Sequence, residues 1–322
     1  MVGPVAACSG PGGVELGHDW AGASTFALVR VDGLVTVVGI DGERARAESL
    51  AVVPQQADDT DAVAPRLVRL GDGRWLVTVP RRSGGPDRRY LVNRTDHVLD
   101  GMAGDTRLRL VLPARTRVAE VAGLPDLPGG HSSVLVRDPG DWSVRRRLSV
   151  AGTVGLVASD TGSDTVCLGG EAGVTVADLR SGRVRAVAGS AGPDVTGLAC
   201  PGGRPVVVRA RPSDGGAVRA AVTRTAGATT VSVTGGRVDA VAARGTTVVI
   251  AVAAGGDTEL VEIDTVGGGE RRRARIGGLA ASQALAADPA GWLLFSESTV
   301  TRVDLGTGGR RRFALPGTLL AP

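Results

Sequence analysis

From Ala172 to Ser190 the chain reads AGVTVADLRSGRVRAVAGS: alternating apolar and polar positions run into an Asp, a polar turn closes on Gly, and a second alternating stretch follows. Alternation with period two puts successive side chains on opposite faces of an extended strand, so the segment predicts a hairpin. The same shape returns as TVTRVDLGTGGRRRFALPG, 299–317. Turn-opening positions recur at Asp41, Asp96, Asp138, Asp178, Thr223, Asp264 and Asp304, spaced by 40 to 45 residues after a first interval of 55. PQQADDTDAVAP, from Pro54 to Pro65, is polar and bracketed by prolines and reads as an inserted loop that accounts for the long interval.

Each unit offers four short strands, in the last one QALAADP, WLLFSES, TVTRVDL and RRRFALP. A lone four-stranded sheet leaves a greasy face in water, and four strands per ~40–45 residues is the period of sheets stacked radially into a ring. The expected fold is therefore all-β, a seven-bladed β-propeller of four-stranded antiparallel blades, with residues 14–322 as one domain behind an N-terminal tether, 1–13. VGLVASD and VTGLACP suit crowded innermost strands. The triplets Arg145–Arg147, Arg271–Arg273 and Arg310–Arg312 suit outermost edges, where charge discourages pairing with another molecule. The carboxylates of Asp41, Asp96, Asp138, Asp178, Asp264 and Asp304 are expected to be structural, accepting hydrogen bonds from turn amides. How the ring closes stays open, because GVELGHDWAG alternates weakly and TLLAP follows the last unit.

Composition narrows the chemistry. All 37 basic residues are Arg, so no Schiff-base or P-loop lysine is available. The net charge is only +4, with 33 acidic residues interspersed, and aromatics make up 2% of the chain, which argues against nucleic acid as a partner. No run of ~20 apolar residues is present to span a membrane. His18, His97 and His131 sit in separate units without metal-ligand spacing. DTGSD, Asp160 to Asp164, contains one Asp-Thr-Gly where an aspartic protease needs two, and it lacks a full calcium loop. No GxSxG elbow occurs. Trp75 and Trp292 begin equivalent second strands and suit packing between units. No catalytic residue, metal site or cofactor is expected.

Two resemblances extend this reading. Val5, Ala6, Ala7 and Cys8 resemble the small-residue pattern before the lipid-modified cysteine of bacterial lipoproteins, with a truncated signal ahead of it. This implies lipidation at Cys8 and an extracytoplasmic protein, anchored to the cell membrane by lipid only, or secreted. VTVADLRSGRVRAV, ELVEIDTVGGGERRRARIG and TVTRVDLGTGGRRRFAL resemble the YVTN and WD-type repeats of β-propellers. The Trp of the WD signature is replaced by Ala177, Ile263 and Val303, which leaves the YVTN-like group closer. Propellers of this kind host binding, scaffolding, lyase, lactonase and dehydrogenase activities.

Cys167 and Cys200 fall on strands of neighbouring units, either as two buried thiols or as a disulfide. The expected function is a binding or scaffold module with a protein partner or ligand at one rim of the ring. The segment from Pro54 to Pro65 and the loop containing Arg81, Arg82, Asp87, Arg88 and Arg89 are its candidate contacts. The alternative is a lyase- or lactonase-type enzyme with a metal or polar site in the central channel.

Overall fold

Short alternating segments become antiparallel sheets throughout the computed structural model, which describes residues 13–15, 23–54, 65–81, 87–93, 98–102, 108–122, 130–192, 194–212, 218–224, 227–233, 237–279 and 283–322. Six blades have four strands. A typical one runs Val154–Ser159, Thr165–Gly170, Gly173–Asp178 and Val184–Ala186 from the ring centre outward. The blades 108–151, 195–233, 237–276 and 284–314 follow the same order.

The sixth is closed by the C-terminus. Thr318–Ala321 pairs antiparallel with Thr25–Val31 and supplies the innermost strand to Leu34–Asp41 and Arg46–Val52. A Cβ at Gly317 would fall 2.2 Å from the Arg30 carbonyl oxygen, so the chain can enter this seam only through glycine.

The expectation of seven four-stranded blades is corrected to six. The remaining sheet has five strands, because Gly13–Glu15 pairs with Val98–Met102 outside Arg66–Arg69, Trp75–Val79 and Arg88–Asn93. Residues assigned to a tether and a weak inner strand thus begin instead as an edge strand, and hydrogen bonds left open on Val98–Met102 supply the reason.

The core lies between sheets. Phe26, Leu28 and Val37 pack against Trp75, Val77 and Val92; Val134, Leu148 and Val150 against Val166 and Leu168; Val249 and Leu260 against Trp292 and Leu294. Trp75 meets Phe26 edge-on, with centroids 5.1 Å apart, and the Arg244 guanidinium sits 5.1 Å from the Trp292 ring centroid. The innermost strands run side by side and carry small residues, such as Ala240, Ala242 and Ala243, only half-buried toward the centre of the ring. Arg145–Arg147 and Arg271–Arg273 lie exposed on outermost strands, as do Arg310–Arg312.

Candidate functional site

The topology gives the ring two unlike mouths. Hairpins between first and second strands and between third and fourth strands open on one; loops between second and third strands, and the connectors between blades, open on the other.

The first mouth is a hydrogen-bonded scaffold. Asp138 accepts from the amide of Gly140 at 3.0 Å, Asp178 from Arg180 and Ser181 at 2.9 and 2.8 Å, Asp264 from Val266 at 2.9 Å, and Asp304 from Gly306 at 2.8 Å. Asp41 accepts from Arg44 at 2.9 Å. Four residues on, the chain is left-handed each time, at Ala45, Trp142, Gly182, Gly268 and Gly308.

These amides, those of Gly140, Ser181 and Val266 foremost, hold the carboxyls of Asp138, Asp178 and Asp264 below their ordinary value. At Asp304 the Thr307 hydroxyl is the leading cause. A folded-state value lowered in this way contributes stability above the unfolded carboxylate value of ~3.9, and that stability is lost as pH falls through the lower folded value. The gap in melting temperature between the native protein and Asp178→Asn is therefore expected to be constant near pH 7 and to close below about pH 4. A gap that persists unchanged to about pH 2 would refute the assignment.

Asp160 and Asp164 of DTGSD join neighbouring blades. Asp164 accepts from the Thr116 amide at 2.7 Å and its hydroxyl at 2.8 Å, and Asp160 accepts from the Gly202 amide at 2.7 Å. Their carboxylates are thus engaged with one neighbour each.

Between the five-stranded sheet and the blade 108–151 lies a charge cluster. Glu120 is 0% exposed, with Arg89 Nη1 3.0 Å from its Oε1 and Arg137 Nε donating to its Oε2 at 2.5 Å. The Trp142 indole donates to Oε1 at 3.1 Å, and Arg137 Nη1 donates to the Trp142 carbonyl at 2.8 Å. Arg89, expected in a partner loop, is therefore enclosed between sheets, and Asp87 is buried as well. Arg81 and Arg88 are half-buried. The structure joins Cys167 to Cys200 by a disulfide with a Cα separation of 5.8 Å, tying the blade 154–186 to the blade 195–233. His131 opens an outer-facing strand and is exposed. Cys8, His18, Arg82, Asp96 and His97 lie outside the described residues, as do residues 55–64. Among the described residues no group of three or more His, Cys, Asp or Glu side chains is placed to hold a metal ion.

The second mouth carries a cavity of about 520 Å³ on the seam between those two disulfide-linked blades. Its floor is Leu156, Val174 and Val195, which belong to the same inter-blade core as Cys167 and Cys200. Three features open it. Gly155 is a one-residue bulge between the paired Val154 and Leu156, and a Cβ there would meet nothing within 4 Å. Gly169 and Gly170, paired with Leu156 and Val154 on the adjacent strand, line it as bare backbone. The connector between the blades is held back by Arg209, which pairs with Asp194 and donates to the carbonyls of Gly189 and Ala191 at 2.8 and 2.9 Å.

Ser190 is committed to this wall: its hydroxyl accepts from the Val174 amide at 2.7 Å and donates to the Val187 carbonyl at 2.6 Å. The lining presents a single titratable side chain, the exposed carboxylate of Glu171 in the turn beside Gly170. Sequence reasoning did not single out this cavity. The glycines at 155, 169–170 and 192 were its visible trace only in part, since the bulge at Gly155 depends on strand pairing.

Similar bulges recur in the next two innermost strands, at Thr196 and Asp239, but neither is glycine.

The structure is similar to apo AztD from Citrobacter koseri, with a TM-score of 0.57 and 13% identity over 92% of this chain and 95% of that one. It is similar to the dihydro-heme d1 dehydrogenase NirN in complex with DHE, with a TM-score of 0.53 and 15% identity over 94% and 76% of the two chains. The Neurospora crassa Pan2 WD40 domain gives a TM-score of 0.54 and 10% identity over 80% and 82%. No family model and no curated protein matches the sequence. At such identities the likeness is one of fold, and the chain is a β-propeller.

Proposed function

We propose that this propeller is a binding module, exported and held at the outer face of a membrane through Cys8, whose ligand sits at the mouth formed by blade connectors and second-to-third-strand loops. The observation that carries the reading is the cavity of about 520 Å³ between the blades 154–186 and 195–233. Its size falls among small-molecule pockets, which run roughly 300–1,000 Å³ and combine an apolar lining with few polar groups. One carboxylate over an apolar floor suits recognition better than acid–base chemistry, which needs positioned donor and acceptor groups around a reacting atom. The Cys167–Cys200 bridge is in keeping with an oxidising compartment.

Gly155→Leu tests the site, because the new side chain enters open space at a backbone conformation outside the left-handed region. Compounds from a diverse small-molecule library that raise the melting temperature of the native protein are expected to lose that effect in the variant. At a ligand concentration of about 100 Kd the native shift corresponds to ~2.7 kcal/mol. Equal shifts in both proteins would place binding elsewhere and reject the reading.

A further inference from the structure

We infer that the cavity takes a small organic amine, an ammonium head on an apolar body; this rests on the binding reading above and names its ligand class. The charge distribution around the cavity gives the reason. Arg209 and Asp194 behind Gly192 neutralise one another, and Arg209 Nη2 donates to the Gly189 and Ala191 carbonyls. The Ser190 hydroxyl is taken by Val174 and Val187. The carboxylate of Glu171 has no hydrogen-bond or ion-pair partner among the described residues, and it is the one formal charge of the lining left uncompensated.

Beneath Glu171 the surface is apolar or bare. Leu156, Val174 and Val195 form the floor, and Gly155, Gly169 and Gly170 add no side chain that would fill the space. A ligand seated there buries carbon against the floor and leaves its head at the rim, facing the carboxylate. A cation gains there from a charge-assisted hydrogen bond, whereas an anion of the same shape meets like charge. A volume of about 520 Å³ accommodates a molecule of modest size and is too small for a folded partner's surface.

The test uses three isosteric probes, 2-phenylethylamine, 2-phenylethanol and phenylacetate, titrated calorimetrically at neutral pH into the native protein, Glu171→Gln and Gly155→Leu. In the native protein the amine is expected to bind about tenfold more tightly than the alcohol, the interval a charge-assisted contact of ordinary strength supplies, and the carboxylate more weakly than either. Glu171→Gln is expected to bring amine and alcohol together while leaving the alcohol's affinity unchanged. Gly155→Leu is expected to remove binding of all three.

If amine and alcohol bind the native protein equally and Gly155→Leu abolishes both, the cavity stands as a site and the cation preference falls. If the amine preference survives Glu171→Gln, this carboxylate is not its source and the inference is overturned. Failure of all three probes to bind the native protein, or binding that Gly155→Leu leaves intact, overturns the site together with the ligand class.

Discussion

Glu120→Ala is expected to lower the free energy of unfolding by about 3–5 kcal/mol, the range for breaking a buried ion pair from one side. Glu120 is 0% exposed, and its two oxygens hold Arg89, Arg137 and the Trp142 indole in one inter-sheet cluster. Without it two guanidinium groups stay between the sheets with no carboxylate joining them. The cost comes from stranding charge, so it does not measure a net gain from having the cluster. The combined variant Arg89→Met, Glu120→Leu, Arg137→Met is accordingly expected to recover most of the loss, because none of these three ions then needs to be desolvated.

Urea unfolding with an unchanged m-value is the measurement for both variants. Arg275→Ala serves as the contrast. Its guanidinium is 66% exposed and pairs with Asp257 at 2.7 Å, so a change within about 1 kcal/mol is expected. A loss of less than about 1 kcal/mol for Glu120→Ala would contradict the account of the cluster.

Replacing both Cys167 and Cys200 by Ser is expected to cost about 3–4 kcal/mol. The bridge spans 33 residues of sequence, and restricting a loop of that length in the unfolded chain stabilises the fold by this amount in the chain-entropy account. The effect is expected to be concentrated at the seam beneath the cavity, since Cys167 and Cys200 share a core cluster with Leu156, Val174 and Val195. Alkylation of the protein unfolded without reductant is expected to leave both cysteines unlabelled. Labelling of both would show that the bridge is not formed where the protein resides, and would remove its support for an extracytoplasmic location.

Much of the strand pattern was legible in the residues. The last unit, read as QALAADP to RRRFALP, corresponds to the strands at 284–314. The turn aspartates were legible too, because Asp with Gly or a left-handed residue four positions on closes a hairpin by local hydrogen bonds alone. Strand count per sheet was less so. GVELGHDWAG was weighed as an inner strand of the first unit, whereas TLLA at the other end of the chain takes that place and Gly13–Glu15 joins a different sheet.

Arg89 misled for another reason. Sheets in a ring are covered on both faces, so a charge at an alternating position has no assured route to water. Val118, Glu120 and the indole of Trp142 are buried on one side, while Ala119 and Val121 are buried on the other. Reading Arg89 as part of a presented loop assumed a solvent face that the neighbouring sheet occupies.

The sequence by itself determined an all-β chain of repeated hairpins, since period-two alternation and Asp-to-Gly turns are decided within a few residues. The tertiary structure decided what depends on contacts between distant segments: closure by residues 318–321, the six four-stranded blades beside a five-stranded sheet, the charge buried around Glu120, and the bulge that turns Gly155 into an opening. Pairing register and inter-sheet packing are set by which surfaces meet, and nothing local to a strand specifies its neighbour across the seam.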